Sequence, residues 1–323
     1  MASSRNSRST ELVEEALQES LAGLPSGARI AVALSGGLDS SLLLALSARH
    51  VAGIKALLSA IHIHHGLSPH ADAWEAACRT ACADLKVPIE VVRLSVPLDT
   101  GEGVEAAARR LRYQVFDALA VDYVLLGHHA NDQAETLLFN LMRGTGVRGA
   151  AGIPAVTGEA GRYLRPLLTC LRVDLEACAR HYGLRWVEDE SNEDRRFSRN
   201  YIRHEVVPVL EGRFPAAVEN LSRAAEHFAE AQAMLDELAR LDLAGCSEFP
   251  VPVALLRGLS EPRARNALRY LLTISGLQAP SGKRLGEVLR QFIEAGMDRH
   301  PSLDLPSYRL YRQRDAVHLQ RHS

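Results

Sequence analysis

A short segment after the first apolar run has the residue types of a phosphate-binding turn. Ala31 to Ser41 reads Ala-Val-Ala-Leu-Ser-Gly-Gly-Leu-Asp-Ser-Ser. Adjacent glycines permit unusual backbone angles, and the unpaired amides in the first turn of a following helix point toward an incoming anion. The pattern therefore predicts a phosphate-binding turn, whose members are Ser35, Gly36, Gly37, Leu38, Asp39, Ser40 and Ser41.

The carboxylate of Asp39 lies inside this predicted turn, where it would repel a phosphate. A bridging Mg²⁺ converts that repulsion into attraction, so Asp39 is a predicted metal ligand. The turn lacks the Gly-Lys-Ser/Thr of a Walker loop. The plainer alternative is an ordinary strand-to-helix turn with a capping serine.

A second group of polar residues, Gly127 to Thr136, reads Gly-His-His-Ala-Asn-Asp-Gln-Ala-Glu-Thr. Asp132 and Glu135 are three residues apart, so they share one face of a helix near its start. We expect Asp132 to hold Mg²⁺ together with Asp39, or one of the two carboxylates to orient an amine nucleophile. The adjacent histidines, His128 and His129, would contact phosphate or substrate.

Two other interpretations of this group stay open. Asp132 or Asn131 could simply cap the helix. The histidine pair could also belong to a zinc site, with further ligands from His62, His64 and His65, since catalytic zinc usually has three protein ligands.

The elements that must position these residues alternate between strands and helices. Parallel sheets covered by helices on both faces have this order, and ligands bind beyond the carboxyl ends of their strands. The predicted strands are residues 28–34, 56–63, 88–94 and 121–126, and the predicted helices are residues 40–48, 71–85, 102–119, 130–143 and 171–182. The fold class is therefore α/β, and both polar groups follow predicted strands. Residues 144–149 and 188–196 are predicted loops.

The pattern becomes mostly helical from about Pro215. Residues 215–241, 261–274 and 281–295 are predicted helices, and residues 308–319 a β-hairpin. We therefore divide the chain into a tail and first helix (1–27), an α/β catalytic domain (28–214) and a smaller, mostly helical domain (215–323). The first ten residues are small and polar, which predicts a frayed tail and no signal peptide.

Bulk composition excludes several classes of protein. Of the 323 residues, 47% are hydrophobic and 24% charged, and no apolar run approaches the length of a membrane span. The default expectation is therefore a cytoplasmic protein without membrane contact. Five cysteines without a Cys-x-x-Cys pair argue against a disulfide framework and a zinc knuckle. The net charge is −2, but the part from Arg195 onward is net positive, which is compatible with an RNA partner.

The two polar groups and several further segments together resemble the tRNA(Ile)-lysidine synthetases, a family of PP-loop ATP pyrophosphatases. The resemblance is strong over residues 28–215 and weaker over residues 255–319. The segments that carry it are Ser35–Ser40, Ala60–Asp72, Ala107–Tyr113, Gly127–Thr136, Met142–Gly149, Arg165–Leu168, Glu188–Asn192 and Phe197–Arg203. Asn131 stands where other members often have Asp. Some relatives carry a further C-terminal domain, and we expect the tRNA contacts of that domain to be absent here or made differently.

The resemblance implies a reaction on a CAU-anticodon isoleucine tRNA. ATP adenylates the wobble cytidine and so activates its C2, pyrophosphate leaves, and the ε-amine of L-lysine displaces AMP to give lysidine. It implies an ATP contact for His62, catalytic roles for Asp39, Asp132, Glu135, Arg199 and Arg203, and substrate contacts for Arg109, Arg112, His128, His129 and Asn200. For the arginines, salt bridges to Asp or Glu are the structural alternative.

We further expect the region after Pro215 to select the tRNA. Lys283 and Arg284 open a predicted helix, where a basic pair gains nothing from the helix dipole, so an external phosphate explains the pair better than helix stability does. A solvated face is the open alternative. Rival functions are tRNA thiolation, which the lack of paired cysteines disfavours, and a non-catalytic ATP-binding module. The oligomeric state stays open, with a homodimer among the alternatives.

Overall fold

The computed structural model describes residues 2–66, 68–97, 103–188, 195, 197–296 and 299–322, without the side chains of residues 2–6 and 105. The chain forms two compact units, Met1–Phe228 (unit 1) and Ala229–Ser323 (unit 2). The division falls inside one helix, later in the chain than residue 215. The sequence-based assignment of chemistry and tRNA selection to two domains stays a prediction.

Unit 1 alternates helices and strands as expected for an α/β domain. Its strands are β1 (Arg29–Ala33), β2 (Leu57–His64), β3 (Ile89–Arg93), β4 (Tyr123–Leu125), β5 (Val156–Thr157) and β6 (Tyr163–Leu164). Its helices are α1 (Ala2–Ala22), α2 (Leu38–His50), α3 (Ala71–Leu85), α4 (Val104–Ala118), α5 (Ala130–Met142), α6 (Val147–Ala150), α7 (Arg172–His181), α8 (Ser198–Tyr201) and α9 (Val207–Arg213). Helix α10 (Ala217–Asp242) runs across the division between the units.

The six strands form one sheet in the order β3-β2-β1-β4-β6-β5. All neighbours are parallel except β5, which pairs antiparallel with β6. The side chains of β1 point alternately to the two faces of the sheet. Ile30 and Val32 pack in the core with α1, α2 and α7, whereas Ala31 packs on the other face with Phe116 of α4. The carboxyl ends of β1, β2 and β4 therefore meet at one edge, between two layers of helices.

Unit 2 combines helices with a small antiparallel sheet of order β7-β10-β9-β8. Its strands are β7 (Val251–Pro252), β8 (Ser302–Leu305), β9 (Tyr308–Gln313) and β10 (Ala316–Arg321), and its helices are α11 (Val253–Arg257), α12 (Glu261–Ile274) and α13 (Gly282–Glu294). Leu268, Leu289, Phe292 and Leu310 lie in its own buried core.

The structure confirms the α/β fold class and corrects the sequence-based description at three places. Residues 2–10 begin α1 and are not a frayed tail: Ser9 and Thr10 are buried, and Ser9 Oγ donates to Asp174 Oδ1 at 2.6 Å. The predicted loop 144–149 contains the start of α6. The short elements β5, β6, β7, β8 and α11 were not predicted. Of the predicted loop 188–196, all but Glu188 and Arg195 lies outside the described residues.

No helix in the described ranges has both the length and the apolar character that a membrane crossing requires.

Candidate active site

The predicted phosphate turn joins the end of β1 to the start of α2. Gly36 has φ +91°, and a Cβ there would lie 3.0 Å from Val187 Cγ2 and 3.1 Å from Cys78 Sγ, so the position requires glycine. Val187 N donates to Gly36 O at 2.9 Å, which fixes the outer side of the turn. Gly37 is the N-cap of α2 and has no side chain to occupy the first amides of that helix. These amides are therefore suited to an anion.

The serine side chains of the turn hold its shape. Ser35 N donates to Ser40 Oγ at 3.1 Å, and the two hydroxyl oxygens lie 2.9 Å apart. Ser40 Oγ in turn donates to Gly37 O at 3.2 Å. The backbone is thus fixed before a ligand arrives, which lowers the entropy that binding must remove.

Asp39 lies in the first turn of α2. Within the described part of the chain, its buried Oδ1 atom has no hydrogen-bond partner. Burial raises the pKa of Asp39, and the neighbouring Asp132 raises it further, against the opposing effects of His129, Arg172 and Arg203. A buried carboxylate oxygen without a donor is an acceptor suited to a cation.

The second polar group approaches the turn through Gly127. A Cβ at this residue would lie 3.2 Å from the backbone carbon of Asp39 and 3.2 Å from the backbone nitrogen of Ser40. Real Cβ atoms rarely come so close to backbone atoms, so β4 and α2 are brought together by the absence of a side chain. The sequence analysis assigned no role to Gly127, although a glycine directly after a strand was a usable signal.

His129 caps α5 and faces both aspartates. Its Nδ1 accepts from Asp132 N at 3.4 Å, while Asp132 Oδ2 accepts from His129 N at 3.0 Å, which is a reciprocal capping box. Because Nδ1 is an acceptor, the neutral ring carries its proton on Nε2. Nε2 lies 3.6 Å from Asp39 Oδ2 and 3.6 Å from Asp132 Oδ2, so one N–H group points toward two carboxylates.

Asp132, Glu135, Arg199 and Arg203 form an ion cluster on α5 and the segment that begins at α8. Arg199 Nη2 donates to Asp132 Oδ1 at 2.7 Å, and its Nε donates to Glu135 Oε2 at 3.1 Å. Arg203 donates to both oxygens of Glu135, at 2.7 and 2.9 Å, and lies 3.4 Å from Asp132 Oδ1. The cluster joins two chain segments by charge-assisted hydrogen bonds.

The surroundings of Asp132 and Arg203 favour the ionised forms of these two side chains. Burial acts to raise the pKa of Asp132, but His129, Arg199, His128 and the amide of His129 together hold it below its ordinary value. Burial acts to lower the pKa of Arg203, yet Glu135 and Asp132 raise it above its ordinary value. The helix cap and the salt bridges, which the sequence analysis kept as alternatives, are thus both present, and the catalytic roles of these residues stay predictions.

Arg199 and Arg203 reach the same carboxylates because they lie four residues apart, on one face of the helical segment. Residues 202–206 form a π-helical turn that joins α8 to α9 without a break. Such turns are rare and occur often at functional sites. The described residues of the Phe197–Arg203 motif thus lie beside α5, whereas Asp189–Asn192 of the Glu188–Asn192 motif lie outside the described residues.

Two of the histidines predicted to contact ATP or substrate, His62 and His128, have lowered pKa values. His62 is buried beside the turn, with its Nδ1 2.8 Å from Leu34 O, and burial lowers its pKa. Burial also lowers the pKa of His128 to about 4, with Arg165, Arg199 and Arg109 adding to the effect against Asp132. In the described structure, the buried Nδ1 of His128 has no partner.

Several predicted substrate residues lie beside these histidines in unit 1. The guanidinium of Arg109 covers the ring of Tyr113 at 5.2 Å, and Arg112 Nη2 lies 3.4 Å from His65 Nε2. Burial, then Arg112, lowers the pKa of His65 to about 4. Asn200 lies in α8 between Arg199 and Tyr201.

The basic pair of unit 2 is placed differently. Ser281 Oγ accepts from Arg284 N at 3.4 Å, so Ser281 caps α13, and Arg284 Nη2 donates to Asp304 O at 2.9 Å. Lys283 is exposed. Arg284 therefore has a structural contact of its own, and Lys283 is the freer of the two cations.

The histidines of the zinc alternative do not form one cluster with the His128–His129 pair. The ligand atoms of His64, Asp72 and Glu75 do lie within 4.8 Å of one another. However, Arg93 Nη2 donates to Asp72 Oδ1 at 2.9 Å and to Glu75 Oε2 at 2.9 Å. A guanidinium thus already supplies the positive charge there.

A buried arginine that the sequence analysis quoted only as part of a motif lies after β6. Arg165 Nη1 donates to Pro154 O at 2.8 Å and to Thr157 Oγ1 at 3.0 Å, and Nη2 lies 3.4 Å from the Tyr113 hydroxyl. Burial lowers its pKa. These three hydrogen-bond partners are neutral oxygen atoms, which a sequence pattern does not reveal.

Comparison with known proteins identifies the family. The family model of the ATP-binding PP-loop domain matches residues 6–210, and that of the TilS substrate binding domain matches residues 252–318. The tRNA(Ile)-lysidine synthase of Alkalilimnicola ehrlichii is 46% identical over 312 residues, which cover 95% of this chain and 70% of that protein. The chain belongs to the tRNA(Ile)-lysidine synthase family. The synthase of Azoarcus sp. is 45% identical over 290 residues and covers 88% of this chain.

The chain spans only part of the length of several relatives that it matches. The matched regions span 64% of the length of the Azoarcus synthase and 57% of that of Pseudomonas fluorescens. Among solved structures, a U34-tRNA thiolase from Methanococcus maripaludis with its [4Fe-4S] cluster has a TM-score of 0.59 at 17% identity, covering 69% of this chain and 80% of its own. That likeness supports the PP-loop fold of the lysidine synthase family and nothing beyond it.

Proposed function

We propose that the protein ligates lysine onto C2 of the wobble cytidine in a CAU-anticodon isoleucine tRNA, as an ATP-dependent ligase of the cytoplasm. Two bonds change in turn: an oxygen–phosphorus bond forms at the base while pyrophosphate leaves, and a carbon–nitrogen bond forms at C2 while AMP leaves. The product would read AUA and accept isoleucine instead of methionine. The observation that carries the proposal is the uncapped start of α2 with the unpartnered Asp39 oxygen, in a chain of this family.

The first step requires ATP phosphates beside a carboxylate. The free amides of α2 would hold the phosphates, and Asp39 Oδ1 would be the protein ligand for Mg²⁺. Bound Mg²⁺ would neutralise the charge that develops on the leaving pyrophosphate. Asp132 is a poorer ligand than the sequence analysis supposed, because its Oδ1 accepts from arginine and its Oδ2 from the His129 amide.

The second step requires a positioned, neutral lysine amine. Glu135 is almost fully buried and bonded to both arginines, so we assign it the positioning of Arg199 and Arg203 and no direct contact with the amine. The partly exposed Arg199 and Arg203 would stabilise the phosphate charge or bind the lysine carboxylate. The carboxylates nearest to the turn, Asp39 and Asp132, would attract the ε-ammonium, and one of them would accept the proton whose loss leaves the amine neutral.

Thiolation is the rival within this fold, and the thiols argue against it. Burial raises the pKa of Cys78 to about 12 and that of Cys82, Cys170 and Cys178 to about 11 each. Thiolates are the reactive and metal-binding form of cysteine, so these four side chains are poorly suited to sulfur chemistry. A non-catalytic ATP-binding module would not need the paired carboxylates.

The direct test is mass spectrometry of nucleosides from an isoleucine tRNA transcript incubated with the protein, ATP, Mg²⁺ and isotopically labelled lysine. We expect labelled lysidine to replace one cytidine per tRNA. No lysidine should form when ATP is omitted or when the tRNA has a uridine at the wobble position. Pyrophosphate release without incorporated lysine would indicate a different PP-loop reaction. Absence of both products would refute the proposal. We also keep a homodimer as a proposal. Light scattering tests it, because the molar mass in solution would be twice that of the chain.

A further inference from the structure

The exposed aromatic side chains are concentrated in one segment. The chain has two Trp, eight Tyr and seven Phe, all within the described ranges. Three of these residues are exposed: Phe197 (48%), Tyr201 (52%) and Phe214 (58%). All three lie at the two ends of the helical segment α8–α9, although the aromatic residues are spread over the whole chain. The segment with all the exposed aromatic rings is thus also the segment that carries Arg199 and Arg203 of the ion cluster, which suggests a shared role.

Phe197 and Tyr201 are neighbours on one face of that segment. They are four residues apart, and Tyr201 N donates to Phe197 O at 3.0 Å, so one helical turn brings their side chains to the same side. Within the described part of the chain, neither ring has an aromatic or guanidinium partner. Phe214 differs, because the guanidinium of Arg213 lies 5.6 Å from its ring centre.

The opposite face of the same turn holds the ion cluster. Arg199 and Arg203 alternate with Phe197 and Tyr201 along the helix, and their guanidinium groups are bonded to Asp132 and Glu135. One short helix thus connects an exposed aromatic pair to the candidate catalytic residues. A group that stacks on the pair would lie within a few residues of the reacting centre.

Two arginine side chains accompany the aromatic pair, and each is also bonded to a carboxylate. The side chain of Arg199 remains 37% exposed, and the exposed guanidinium of Arg195 is held by Glu205, about one turn beyond Tyr201. Aromatic rings beside guanidinium groups suit unpaired nucleotides, because the rings stack on bases and the cations attract the linking phosphates. Val209 of α9 is also exposed, but Phe197 and Tyr201 lie one turn apart beside the arginines and add flat rings that an aliphatic side chain does not offer.

We infer that Phe197 and Tyr201 are a stacking surface for unpaired bases of the tRNA anticodon loop, next to the base that reacts. This inference rests on the proposed function. It assigns to unit 1 a part of RNA recognition that is independent of the phosphate turn. Loss of one stacking contact typically weakens binding by about five- to hundredfold, so loss of one ring should weaken tRNA binding by about tenfold.

The test compares Phe197→Leu and Tyr201→Leu with Tyr201→Phe and with Phe214→Leu as a matched exposed control. Lysidine formation is measured against the concentrations of tRNA, ATP and lysine. We expect each leucine variant to raise the KM for tRNA by about tenfold while the KM values for ATP and lysine stay within about twofold. Tyr201→Phe and Phe214→Leu should behave like the wild type, because the first keeps the ring and the second lies at the other end of the segment.

A second measurement detects stacking itself. An anticodon-loop adenine is replaced by 2-aminopurine, whose fluorescence falls when the base stacks on a ring. We expect quenching on binding to the wild type and to Tyr201→Phe, and loss of quenching with the leucine variants. Equal effects of all substitutions, or unchanged KM and quenching in the leucine variants, would overturn the inference. A wild-type protein that makes no lysidine would instead contradict the proposed function.

Discussion

At the scale of single residues, Asp39 combines an unfavourable environment with a predicted function. Its carboxylate is buried, its pKa is raised by that burial, and Oδ1 has no donor among the described residues. A group whose folded-state pKa is raised lowers stability at pH values above its unfolded-state pKa. The residue therefore makes the folded chain less stable at neutral pH, which is typical of residues retained for activity.

We expect Asp39→Asn to slow lysidine formation by about two orders of magnitude or more, as is usual when one electrostatic contributor is lost. Without Mg²⁺ and ATP, the variant should be more stable than the wild type by roughly 0.5–2 kcal/mol at pH 7. Urea unfolding measures this difference, which should shrink toward pH 4 as the wild-type carboxyl becomes protonated. Near-normal turnover would rule out the metal-binding role.

Glu135 is expected to act mainly by holding the two arginines. Glu135→Gln keeps the shape and leaves two partly buried guanidinium groups with one carboxylate, so stability should fall by roughly 1–3 kcal/mol. Glu176→Gln is the control, because Glu176 and Arg180 form an exposed pair on α7 and should contribute under about 0.5 kcal/mol. If both variants unfold at the same urea concentration as the wild type, the cluster does not stabilise the fold.

At the scale of elements, the close contact between β4 and α2 depends on Gly127. We expect Gly127→Ala to destabilise unit 1 by about 1–3 kcal/mol, since the added Cβ meets backbone atoms that cannot turn away, and to weaken ATP binding. Gly53→Ala is the control, because a Cβ there meets nothing within 4 Å. Thermal unfolding and ATP titration should show a loss only for Gly127→Ala, and a tolerated alanine would contradict the contact.

The long elements were predictable and the short ones were not. The predictions for α3 and α12 match the observed ends, because apolar residues recur at helical spacing between clear stop signals such as Gly276. Strands β5 and β6 have two residues each, too few for a period to appear. The candidate site was predictable only in part. The spacing of the motifs indicated that Asp39 and Asp132 lie at the same edge of the sheet. The tautomer of His129 and the π-helical turn depend on contacts in the folded chain, which a sequence pattern does not show.

At the scale of the whole molecule, stability should depend on pH through buried neutral histidines. The pKa values of His65 and His128 are about 4, below the ordinary 6.5 of the unfolded chain. The unfolded state therefore binds more protons between these values, and acidification from pH 7 to pH 5 should cost about 1–2 kcal/mol for each histidine. Urea unfolding at several pH values checks this, and His128→Asn should flatten the dependence. An unchanged slope in that variant would contradict the neutral state of His128.

Selection of tRNA by the region after Pro215 remains a prediction. A substitution of the exposed Lys283 is the sharpest test of it. Lys283→Gln should reduce tRNA affinity and lower the slope of log affinity against log salt by about one, the amount for one phosphate contact. Lys86→Gln, an exposed lysine of unit 1, is the control, and ATP binding should be unchanged in both. Identical salt slopes for Lys283→Gln and the wild type would show that this lysine does not contact the RNA.

Both tryptophans of the chain adjoin Gly36 of the phosphate turn, and unit 2 contains none. The carbonyl of Trp74 lies 3.8 Å from the Cβ position of Gly36, and Trp186 directly precedes Val187, whose amide donates to Gly36 O. Intrinsic tryptophan emission is therefore an unlabelled optical reporter of this turn. The emission should change when a nucleotide binds, and it should stay unchanged when unit 2 alone unfolds. Circular dichroism reports the helices of both units, so the two measurements together can follow the unfolding of each unit separately.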